Sequence, residues 1–129
     1  MMTTTENTKP IIKNRTAGEV EELDQRWAQL MFDMTVRFGK QPDLNAMLFL
    51  IGLQELGQGT GNYTKEQKQD IMHIGTCKLF SISGYYEFTG RDEDGWPHFT
   101  SVQPIPNLPL KDQEKILRWH ILEYFEQEN

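Results

Sequence analysis

The sequence predicts a mainly α fold with one β-hairpin, a compact single domain of element order α-α-α-β-β-α. Three observations carry that prediction. Helical periodicity or capping signals mark four segments, the period shifts to aromatic and β-branched runs between Tyr85 and Val102, and 129 residues are about the usual size of one domain. The expected boundaries are a flexible amino-terminal tail over 1–15 and one helical domain over 16–129, with the hairpin at 85–102.

Thr16-Ala17-Gly18-Glu19 has the form of a capping box, and Glu19, Glu21 and Glu22 place negative charge where the helix dipole is positive. From there Val20, Leu23, Trp27, Leu30, Met34 and Phe38 form one stripe over five turns, ended by Gly39 and Pro42. Asp43 caps a second helix to Leu56, with Gly57 past its end. Its apolar residues, Leu44, Met47, Leu48, Phe49, Leu50, Ile51, Leu53 and Leu56, cover nearly every side, so it wants burial all round. Thr64 with Gln67 opens a third helix through Ile82, closed by Gly84; Ile71, Ile74, Cys77 or Lys78, Leu79 and Ile82 are its inward residues. Its first turn and a half, Lys65 to Asp70, is wholly polar and should face solvent or line a cleft.

Tyr85-Tyr86-Glu87-Phe88-Thr89 and Trp96 to Val102 read as two strands joined by Asp92-Glu93-Asp94-Gly95, a four-residue connection suited to a type I turn with a bulge. Pro97 places its strand at an edge. Pro104, Pro106 and Pro109 keep the next segment extended, and a last helix runs from about Leu110 to Gln127. Its stripe is Leu110, Leu117, Ile121 and Tyr124, widened by Ile116 and Phe125. Helices 1, 2 and 4 are expected to form the core, with the hairpin over one side.

Composition removes several function classes. Fourteen aromatics can fill a core, so a collagen, a coiled-coil rod and a fully disordered chain are excluded. The longest apolar run, Ala46 to Leu53, is too short to cross a bilayer. A net charge of -6 disfavours nucleic acid or an anionic membrane as partner. The leader Met1 to Lys9 lacks the apolar segment of a secretory signal, and the one cysteine, Cys77, cannot form an internal disulfide, so a cytoplasmic location is expected. Two glycosylation sequons, at Asn14 and Asn62, are discounted on the same ground. Ile11 and Ile12 in the tail could dock on a partner or a neighbouring subunit.

Four features could carry chemistry. Gly57 to Asn62 leads into a helix start, where Gly59, Gly61 and Asn62 with Lys65 could hold an anion or phosphate. However, the segment follows a helix rather than a strand and lacks a Gly-Lys-Ser/Thr ending, so an interhelical connection is the simpler reading. Asp92, Glu93 and Asp94 could attract a divalent cation, but calcium loops alternate their ligands over twelve residues, and Asp and Gly here meet the needs of a turn. His73 and Cys77 are four apart on one helix face; His98, His120 or a carboxylate would have to complete a metal site, and none stands at ligand spacing. No nucleophile elbow, HExxH or catalytic-cysteine signature is present, so no catalytic, metal or cofactor-binding residue is assigned and catalysis is not the expected role.

The fourth feature is aromatic. Six of the fourteen aromatics lie between residues 80 and 99, on both alternating sets of a ribbon that can bury only one face. Tyr85, Tyr86, Trp96, His98 and Phe99 are therefore the candidate partner-binding residues. The expected function is a cytoplasmic protein–protein interaction or self-associating module, such as a homodimer. The alternative is a small-ligand protein or enzyme using the Gly57–Asn62 loop. A flat apolar patch near Trp96 and His98 would favour the first, and a polar-lined cavity there the second.

Overall fold

The computed structural model describes residues 16–128, so the tail expected over 1–15, with Ile11 and Ile12, lies outside the described residues. Helices α1 (Ala17–Phe38), α2 (Leu44–Leu56) and α3 (Lys65–Ile82) are followed by strands β1 (Tyr86–Arg91) and β2 (Pro97–Ser101) and by helix α4 (Leu110–Glu128). The fold is mainly helical, in the expected order.

Helix starts follow the capping chemistry. Thr16 Oγ1 accepts from the Glu19 N–H while the Glu19 carboxylate accepts from the Thr16 N–H, and Thr64 and Gln67 make the same reciprocal pair at α3. Asp43 Oδ1 accepts from the Ala46 N–H to open α2. Gly39 and Gly57, both left-handed, end α1 and α2 with their N–H groups bonded back to Thr35 and Leu53.

The chain divides into two compact units. One contains α1 and α4. In α1 Leu23, Met31 and Met34 are buried, and in α4 Ile116, His120, Ile121, Leu122 and Tyr124. Both expected stripes shift at their outer ends. Phe38, in the last turn of α1, is 51% exposed and Leu110, in the first turn of α4, 71%, while Met31 takes an inward place. Arg26 pairs with Glu126, and the Arg118 guanidinium lies 5.6 Å from the centre of the Trp27 ring. His120 is fully buried and its Nδ1–H donates to the Ile116 carbonyl at 2.7 Å.

The second unit, residues 43–105, holds α2, α3 and the hairpin. Within this unit α2 pairs closely with α3. Two glycines explain it. A Cβ at Gly52 would stand 1.9 Å from the Ile71 carbonyl oxygen, and one at Gly75 2.2 Å from the Leu48 carbonyl oxygen, so the helices approach backbone to backbone where only glycine fits. The all-round apolar character of α2 is then satisfied: Met47, Leu48, Ile51 and Leu56 are buried and Leu44, Phe49, Leu50 and Leu53 half-buried. From α3, Ile71, Ile74, Cys77, Leu79 and Phe80 are buried, which decides for Cys77 over Lys78 as the inward residue.

The strands pair antiparallel with Phe88 opposite Phe99 and Arg91 opposite Pro97, and an irregularity between Phe88 and Gly90 shifts the register. Gly95, at φ +85°, closes the turn by donating to the Asp92 carbonyl, and the Asp92 N–H donates to the Trp96 carbonyl. At its base the hairpin is tied to the end of α3: the Tyr85 N–H donates to Phe80, the Val102 N–H to Tyr85, and the Tyr85 and Phe80 rings meet edge to face at 6.3 Å. At its tip Arg91 reaches α2. Its guanidinium donates to the carbonyls of Glu55 at 2.7 Å, Leu56 at 3.2 Å and Gly95 at 2.7 Å, neutralising the negative end of that helix.

Candidate functional site

The hairpin lies along α3 and leaves a half-open cleft of about 510 Å³ between the two. From α3 it is lined by Gln67, Asp70, His73, Ile74 and Cys77, residues three or four apart and therefore on one face of the helix. From the hairpin come Asp92, Asp94, Trp96, Pro97, His98 and Phe99. The polar first turns of α3 thus serve as a cleft wall, one of the two roles their composition allows.

Asp92 organises the hairpin side. Its Oδ1 accepts from the N–H groups of Asp94 at 2.9 Å and Trp96 at 3.0 Å, and its Oδ2 accepts from Nε2–H of His98 at 2.9 Å. The His98 hydrogen bond first, then the Trp96 amide, hold the Asp92 carboxyl below its usual range. One carboxylate therefore fixes the turn, the start of β2 and the imidazole that faces the cleft. Trp96 is half-buried and held by Tyr63, whose ring meets it edge to face at 6.5 Å. The Tyr63 hydroxyl in turn donates to the Gly59 carbonyl.

On the α3 side the Cys77 thiol lies 3.4 Å from Nε2 of His73. Burial pushes that thiol up to about 11, so it is protonated at neutral pH. An activated nucleophile needs the opposite shift. The floor is apolar, formed by Ile74 and Pro97, both buried, with Phe99 beside them. Among the described residues, no three His, Cys, Asp or Glu side chains converge on a point where a metal ion could sit.

The cleft brings together three of the five aromatic-patch candidates, Trp96, His98 and Phe99. Tyr85 is buried at the base of the hairpin and Tyr86, half-buried, pairs with Ser101; neither lines the cleft. Gly59, Gly61, Asn62 and Lys65 do not line it either. In that loop the Thr64 and Gln67 amides are taken up by the capping box, and the Gln58 side-chain amide donates to the Asp94 carbonyl at 2.7 Å, tying the loop to the hairpin tip. Asp70 lies in the polar start of α3 that is expected to face solvent or line a cleft, and Asp92 and Asp94, weighed as cation ligands and read as turn formers, also line the cleft.

No family model, no curated protein and no solved structure matches this chain.

Proposed function

We propose that the protein binds a small molecule in the cleft between α3 and the hairpin. The observation that supports the reading is the cavity itself: at about 510 Å³, half-open and lined about equally by polar and apolar groups, it falls in the size range of small-molecule sites. The Asp92–His98 pair would orient a ligand and Trp96 would cover it. The reading places ligand binding away from the Gly57–Asn62 loop, which supports the site through Gln58 and Tyr63 instead. A cytoplasmic protein fits it, since the free Cys77 thiol on the cleft wall is suited to a reducing compartment.

The test is a fragment library screened by amide and indole NMR shifts of the 15N-labelled protein. Ligands are expected to move the Trp96 indole N–H and the amides of His73 and His98 together. A library that moves none of them, or moves only Gly59 to Lys65, defeats the proposal.

A second reading, a self-associating or partner-binding surface, draws on a different part of the hairpin. Phe88 and Val102 are 52% and 51% exposed, and the Phe88 and Phe99 rings meet at 5.7 Å, so apolar surface remains beside the cleft. Light scattering at rising concentration tests it: a dimer dissociated by Phe88→Ser supports it, and a monomer throughout counts against self-association.

A further inference from the structure

The cleft walls differ from the rest of the chain in charge as well as shape. Asp70, Asp92 and Asp94 line it beside His73 and His98, and among the described residues no lysine or arginine does. This follows from where the bases of its unit go. Residues 43–105 contain eight acids and four bases, Lys65, Lys68, Lys78 and Arg91. Arg91, the one arginine or lysine on the hairpin, is turned to the carbonyls of Glu55, Leu56 and Gly95, and Lys78 lies 4.0 Å from Glu55. Lys65 and Lys68 are exposed on α3 and are not among the residues that line the cleft. The carboxylates are therefore left facing a cavity with an apolar floor and an indole wall. Such a cavity attracts a positive charge through the carboxylates and through the ring quadrupole of Trp96, and accepts an apolar body on Ile74, Pro97 and Phe99.

Taking the cleft as the ligand site, we infer that its ligand is a small organic cation, an ammonium group carried on an aromatic or alkyl body. The ammonium is drawn to the exposed carboxylates of Asp70 and Asp94, and the apolar body lies against Trp96 and the floor. An anionic ligand would meet three carboxylates opposed only by the imidazoles of His73 and His98, the second already paired with Asp92. A bare metal ion would leave the apolar floor unused.

Three probes of one skeleton and different charge separate this inference from the site reading beneath it: 2-phenylethylamine, 2-phenylethanol and 3-phenylpropionate, titrated into the whole protein at neutral pH. Binding is followed by calorimetry and by the Trp96 indole N–H. The amine is expected to bind about tenfold more tightly than the alcohol, a preference that added salt reduces, and the carboxylate not at all. The double variant Asp70→Asn/Asp94→Asn, which alters two exposed side chains and leaves the Asp92 turn intact, should abolish the preference while circular dichroism stays unchanged. Equal binding of amine and alcohol, tighter binding of the carboxylate, or a preference that survives the double variant overturns the cation inference and leaves the cleft a ligand site. If no probe moves the cleft residues and the fragment library also fails there, both fall.

Discussion

The two helix pairs of this protein are held by opposite means. In the first unit the polar contacts between α1 and α4, Arg118 on Trp27 and Arg26 with Glu126, are made by long side chains that can shift without moving the backbone, over buried residues of both helices. In the second, α2 and α3 touch through Gly52 and Gly75, and the neighbouring atoms are carbonyl oxygens that cannot yield. The second arrangement gives up helix propensity, since each glycine costs about 1 kcal/mol relative to alanine in a helix interior, and gains a close, rigid crossing. That rigid pair carries the α3 wall of the cleft. The proposed ligand site requires walls held in place, and the helix behind the cleft is fixed by backbone contact.

Glycine-to-alanine substitution breaks this contrast most directly. Gly52→Ala or Gly75→Ala should destabilise by about 3 kcal/mol, the upper end of overpacking costs, because the helices must separate to admit the methyl group. Gly18, in the first turn of α1, has nothing within 4 Å of the place a methyl group would take, and there the same exchange should stabilise by about 0.5 kcal/mol through the unfolded chain. Urea denaturation measures both. Equal effects at the two places would remove the distinction between the pairs.

The next effect tests how the hairpin tip is tied to α2. Arg91→Lys keeps the charge but loses the planar fork that reaches three carbonyls, and should cost about 1 kcal/mol. The Asp92 and Gly95 amides, part of the turn that Arg91 braces, should then exchange hydrogen faster. Unchanged exchange at the tip would show that Gln58 and Tyr63 suffice to hold it.

How much of this was legible in the sequence depends on the range of the interactions. The caps at Thr16, Asp43 and Thr64, the stops at Gly39 and Gly57, and the Asp92–Gly95 turn are local, each specified by residues within four positions, and the structure shows all of them. The α2–α3 crossing was not legible, because a glycine within a helix reads as a weakness until its neighbour across the interface is known. The stripe of α1 was right in period but missed Met31, since periodicity fixes a face and not which edge of it is covered. At the cleft, His73 with Cys77 and Trp96 with His98 stood out as separate pairs. What joins them is the packing of the hairpin along α3, set by Tyr85, Phe80 and Arg91 through contacts that no spacing rule encodes.

Titration of the cleft walls should destabilise the fold from both ends of the pH scale. Cys77, raised from 9.0 to about 11 by burial, keeps its folded-state advantage below pH 9 and loses it as pH rises from there through 11. Asp92 is held below 3.8, chiefly by His98, so its contribution is complete above the usual carboxylate range and is lost as pH falls through and below that value. Denaturation midpoints of Cys77→Ala should therefore decline less above pH 9 than those of the parent, and those of Asp92→Asn less at acid pH. Profiles parallel to the parent would place the sensitive groups elsewhere.

The smallest effect belongs to the first unit. Arg26 and Glu126 are 35% and 52% exposed, so water screens their attraction and ordering two long side chains offsets part of it. Glu126→Gln should cost no more than about 0.5 kcal/mol, and the loss should vanish in high salt. The Arg118 contact with Trp27 is less sensitive to salt, because the ring also provides packing surface, so Arg118→Met should retain part of it and Arg118→Ala little. If Glu126→Gln instead cost as much as Gly75→Ala, α1 and α4 would depend on one ion pair as strongly as α2 and α3 depend on their glycines. The difference in adaptability between the two pairs would then have to be sought in their buried residues alone.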